Sequence, residues 1–62
     1  MEKTKFDGRK ILIVGDHPHK DDVAHILGAE LTVHGKWGFV VKPIDYGEEY
    51  FVFKPEHVKF LD

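Results

Sequence analysis

The chain has no cysteine and no serine. The first absence removes disulfides, thiolate zinc sites, thiol redox chemistry and thiol nucleophiles. The second leaves only Thr4 and Thr32 as aliphatic hydroxyls, which is poor material for acyl or phosphoryl transfer through a nucleophile. Long apolar runs are also missing. Ile11–Val14 is a strand's worth, far short of the roughly 20 residues that cross a bilayer. The opening MEKTKFDGRK is charged and leads into no extended apolar segment, so no secretory leader is expected. Neither sign of charge dominates: nine basic side chains stand against eleven acidic ones. The five histidines offset that balance only at mildly acid pH. Domains that grip phosphate backbones ordinarily carry a strong basic excess. Its lack disfavours nucleic acid as the partner. Together these features suit a cytoplasmic protein that keeps off membranes.

What is present is enough for one small core. A chain of 62 residues makes a single domain and buries only about 60% of the surface its unfolded form exposes. Residues 1–9 are expected as a flexible tail and residues 10–62 as the domain. KILIV, Lys10–Val14, is β-branched and bounded by Gly8 and Gly15, which reads as a buried strand. GDHPHKDD, Gly15–Asp22, is a long loop by its glycine, proline and three aspartates. VAHIL, Gly28 and LTV then read as one long strand bent at the glycine, where a bulge is at home. A short helix over Asp21–Leu27 is the rival, because Val23, Ile26 and Leu27 also have helical spacing. His34–Lys36 is a turn, and Trp37–Lys42 a third strand closed by Pro43. EYFVFK, Glu49–Lys54, is a fourth strand after the loop IDYGEE. PEH, Pro55–His57, suits a single 3₁₀ turn, and VKFL a last short strand. The predicted core is Ile11, Ile13, Val23, Ile26, Leu31, Val33, Phe39, Val41, Phe51, Phe53, Val58 and Phe60. Strands this short satisfy their edges by curling into a small barrel.

This order resembles the SH3-like barrels: all-β, five strands, a long first loop, and a 3₁₀ turn before the last strand. WGFVVK stands where such domains carry a tryptophan at the start of the third strand. KPEHVKFL is similar to their closing segment, with Pro55 opening the turn and Val58 beginning the last strand. The resemblance spans about Lys10–Leu61. It implies a non-enzymatic binding module that engages another protein. The tyrosine-rich first strand of the eukaryotic members is replaced by ILIVGDH, and His57 stands where they have an aromatic. The chain also resembles the KOW- or Tudor-like barrels, whose members imply nucleic-acid binding. The corresponding place here reads HKDDVAHI, with aspartates where KOW barrels carry glycine.

The candidate ligand-binding residues are Trp37, Tyr46, Tyr50, Pro55 and His57. Tryptophan combines large apolar area with one donor and suits a surface anchor. By strand alternation Trp37 shares the face of Phe39 and Val41, so capping the barrel's end is the competing role. Tyr50 is expected to face away from the core, beside Tyr46 at a loop tip; cross-strand packing is the competing role for this pair. A second possibility lies in the first loop. Proline favours extension at His17, so His17 and His19 would point the same way, with Asp16, Asp21 or His25 as a third metal ligand. Against it stands a solvated loop whose Asp and His side chains cap local backbone groups. Glu48 and Glu49 are adjacent and point to opposite faces of a strand, which is wrong for paired catalytic carboxylates. No enzyme and no cofactor are expected.

Overall fold

The computed structural model describes all 62 residues. It contains β1 Lys10–Ile13, β2 Val23–Leu31, β3 Trp37–Pro43, β4 Tyr50–Val52, a 3₁₀ turn at Pro55–His57, and β5 Val58–Phe60. The chain is all-β, and the single turn sits where a proline meets the last strand. No helix forms over Asp21–Leu27; Val23–Leu31 is one strand. All ladders are antiparallel, in the order β4-β3-β2-β1-β5.

β2 is the spine. Ile26 pairs with Val41 and Gly28 with Val40, so Leu27 has no partner and forms a bulge one residue before the glycine. An extra residue shifts the alternation and sharpens the bend. Ala24 and Ile26 therefore face the core before the bulge, while Ala29 pairs with the inward Phe39 after it. Gly28 earns its place sterically. A Cβ there would lie 2.7 Å from the carbonyl oxygen of Glu2. That close approach lets the backbones of Glu2 and Ala29 exchange hydrogen bonds of 2.6 and 2.9 Å.

Residues 1–9, expected as a flexible tail, thus lie against the sheet. The Gly8 amide donates to the Ile26 carbonyl at 2.7 Å, and the Ile26 amide donates to that of Arg9 at 3.1 Å. Phe6 packs edge-on to Phe39 and beside Phe60. The terminal Asp62 carboxylate accepts from the Arg9 guanidinium at 2.9 Å, clasping the two ends together.

The core is smaller than the expected set. Ile11, Ile13, Ala24, Ile26, Val41 and Val52 are enclosed, with Phe6, Phe39, Tyr50 and Val58 packed around them. Leu31, Val33, Phe53 and Phe60 are exposed instead, Val33 almost completely at 97%. Val33 lies in the turn closed by the Gly35 amide on the Thr32 carbonyl, outside any ladder. Phe53 lies past the end of β4.

β4 has the opposite parity from that expected. Tyr50 is opposite Val41 and Val52 opposite Phe39, so Tyr50 and Val52 share the core face and Phe51 lies across from Val40. No ladder joins β4 to β5, so the cylinder is not closed by hydrogen bonds. These edge strands have three residues each, and the 3₁₀ turn Pro55–His57 lies between them in the chain. There the Val14 amide donates to the His57 carbonyl at 2.9 Å.

Candidate functional site

The first loop is compact. The Ile13 amide donates to the Asp22 carbonyl, and the Asp21 amide returns a bond to that of Ile13, so the loop begins and ends at one point. Asp21 adopts φ +75°, a left-handed conformation that aspartate tolerates. Turn bonds run from the Lys20 amide to the His17 carbonyl and from the Asp22 amide to that of His19. Extension across His17–His19 is therefore absent. The His19 amide donates to Nδ1 of His17 at 3.0 Å, which places the ring proton of neutral His17 on Nε2.

The loop fastens to β4 through a shared carboxylate. Oδ2 of Asp22 accepts from the Tyr50 hydroxyl at 3.0 Å and, over a short bond, from that of Tyr46. The Tyr46 oxygen is also 2.9 Å from Nδ1 of His19. The His19 ring lies flat on Tyr50, with centroids 3.8 Å apart and planes 8° from parallel. His17 stands edge-on to His57 at 5.2 Å. Asp22, Tyr46, Tyr50, His17, His19 and His57 are thus one contiguous cluster drawn from the first loop, the β3–β4 loop, β4 and the 3₁₀ turn.

This geometry shifts the acid–base behaviour of its members. The Tyr46 hydroxyl bond is the main cause holding the Asp22 carboxyl below its ordinary 3.8, aided by the Tyr50 bond and the His19 ring. The bond to Asp22 raises the Tyr46 hydroxyl, while burial first and then Asp22 raise that of Tyr50. His17 is pushed below its ordinary 6.5, chiefly by burial and then by His57 and His19.

Both Asp22 and His17 bind protons less readily folded than unfolded, so protonation favours the unfolded chain. The His17 contribution is present above 6.5 and fades as pH falls through its lower folded value. The Asp22 contribution is present above 3.8 and is lost as pH falls through its own. Asp22→Asn keeps an acceptor oxygen but not the charge. Its melting temperature is expected to vary less than that of the wild type on acidification below 3.8. Parallel melting curves for the two proteins across that range would refute the role assigned to Asp22.

The two groups of sequence-selected residues are redistributed. His17 and His19 join Tyr46, Tyr50 and His57 in the cluster. Asp16 is exposed on the loop. His25 lies in β2, in a separate hollow beside Lys42 and Ile44. No group of three or more histidine, aspartate or glutamate side chains has an arrangement that could hold a metal ion. Asp22 carries the cluster, yet no local pattern marks it, because its partners lie 24 and 28 residues away in sequence.

Trp37 and Pro55 belong to a different place. They line an apolar groove of about 170 Å³ with Ala29, Gly38, Phe39, Val52 and Phe53. Trp37 is the first residue of β3 and is 56% exposed. Gly38 admits the Phe53 ring, since a Cβ there would lie 2.8 Å from it. Beside this groove is a wider hollow of about 510 Å³, formed by His17–His19, Lys36, Tyr50, Phe51, Phe53, Lys54 and His57. Phe53 borders both, and its ring is stacked with that of Phe51 at 5.4 Å. The aromatic patch expected as one surface is thus two recesses sharing one phenylalanine.

Compared with protein-family models, with curated proteins and with solved structures, the chain matches none.

Proposed function

We propose that the chain is a non-enzymatic binding module, built on an SH3-like arrangement of strands, that takes an extended segment of another protein across its aromatic surface. One observation carries this reading: a half-exposed tryptophan stands at the edge of an open groove lined by Phe39, Val52, Phe53 and Pro55. Rigid aromatic walls lose little side-chain entropy on binding, and a tryptophan beside a proline suits an extended or proline-rich ligand. The cysteine-free composition supports work in the reducing cytoplasm.

The test is a titration of the isotope-labelled chain with acetyl-decaproline, followed at the Trp37 indole N–H. That signal is expected to shift, with an affinity nearly indifferent to salt, because apolar contact is not screened as charge is. A motionless indole would overturn the reading.

A second reading, single-stranded nucleic acid, is favoured by Lys36 and Lys54 beside Tyr50, Phe51 and Phe53 in the wider hollow. Bases stack on such rings while ammonium groups meet phosphates. Binding of an oligothymidylate that weakens steeply with salt would support it.

A further inference from the structure

We infer that the wider hollow, between the first loop and β4, is a docking site for the acidic stretch of a peptide ligand. The inference rests on the aromatic-groove reading and assigns the chemistry of the ligand's continuation.

Charge complementarity carries it. The hollow presents the ammonium groups of Lys36 and Lys54 and the imidazoles of His17, His19 and His57, with no carboxylate among its lining side chains. That is a local reversal in a chain whose net charge is −2. The nearest carboxylate of the cluster, Asp22, is occupied by two tyrosine hydroxyls. Tyr50, Phe51 and Phe53 line the same hollow as the two lysines, so a ligand carboxylate can meet an ammonium while its aliphatic stem packs on a ring. Continuity fixes the relation of the two recesses, because Phe53 forms a wall of each. The longest dimension of the molecule is 27 Å, and an extended chain advances about 3.3 Å per residue, so about eight ligand residues span it. Apolar or proline residues would lie against Trp37, with glutamates or aspartates following past Phe53. A peptide is favoured over nucleic acid because only two lysines and no arginine line the hollow, too few to track a phosphate backbone against a negative net charge.

The experiment uses the full chain and three probes followed by NMR: hexaglutamate, acetyl-decaproline and hexathymidylate. Hexaglutamate is expected to shift the amides of Lys36, Phe53 and Lys54 and the His57 ring. Charge reversal at both lysines, Lys36→Glu with Lys54→Glu, is expected to weaken that binding by about tenfold or more. Both lysines are exposed, so the shift of the Trp37 indole by decaproline should persist in the variant. The inference is overturned if hexaglutamate moves none of these signals, or if the charge-reversed chain binds it equally well. Hexathymidylate moving them where hexaglutamate does not would assign the hollow to nucleic acid and equally overturn the proposal. Hexaglutamate binding with an unmoved indole in decaproline would uphold the acidic site and sink the aromatic-groove reading instead.

Discussion

Ile26→Ala is expected to remove about 2–5 kcal/mol of folding stability, the range for truncating a fully buried isoleucine. Ile26 is completely enclosed, among Ile11, Ile13, Ala24, Val41 and Val52. It also stands next to the bulge, where its amide and carbonyl bind Arg9 and Gly8. Neither the backbone ladder nor the bulge leaves room for the neighbours to collapse into the space a lost side chain would open. A domain of this length has a total stability of only about 3–9 kcal/mol. One truncation thus removes between about a fifth and the whole of it, and the folded state should melt at a distinctly lower temperature. Ile26→Val keeps most of the volume and should cost about 0.5–1.5 kcal/mol. Urea unfolding of the three proteins, followed by tryptophan fluorescence, measures both differences. An alanine variant within about 1 kcal/mol of the wild type would show that Ile26 is not the centre of the core.

Trp37→Ala is expected to do the reverse, leaving the fold in place and removing the interaction. More than half of the Trp37 surface is already in solvent at 56%, and the residue is absent from the buried cluster. Its truncation should therefore move the melting temperature little. An aromatic anchor at the centre of a contact is worth about 2 kcal/mol or more, which is a loss of roughly 30-fold in affinity for the proline-rich probe. Val33→Ala is the control, because Val33 is an exposed apolar side chain outside both recesses. It should alter neither stability nor binding. Calorimetric titration of the three proteins with the same peptide reads the affinities, and circular dichroism confirms the fold. Equal affinities for Trp37→Ala and the wild type would remove the groove from the account.

The elements of this molecule are local, and the sequence reveals them locally. KILIV between glycines, a loop of aspartates around a proline, and a proline opening PEH each specify their own conformation through backbone preference. Strand boundaries follow to within a few residues. Tyr50 shows where that legibility ends. Alternation in EYFVFK separates Tyr50 and Val52 from Phe51 and Phe53. It does not say which pair faces inward, and hydrophobicity alone favours the phenylalanines. The structure chooses the tyrosine because its hydroxyl reaches Asp22 while its ring packs beside the core and under His19. Phe51 and Phe53 are left to form the floor of the recesses.

Composition and pattern by themselves determine an all-β chain, the order of its strands, the absence of thiol chemistry and the turn before the last strand. The strands and the turn each depend on residues within a few positions of one another, whereas the absence of thiols is a fact of composition. Only the tertiary structure decides that residues 1–9 lie on β2, that Leu27 rather than Gly28 is the bulge, and that the cylinder stays open between β4 and β5. It alone gathers Asp22 with two tyrosines and three histidines, and it parts Trp37 from them across Phe53. These outcomes turn on contacts between residues far apart in the chain, where side-chain volume, one shared carboxylate and backbone pairing set the result.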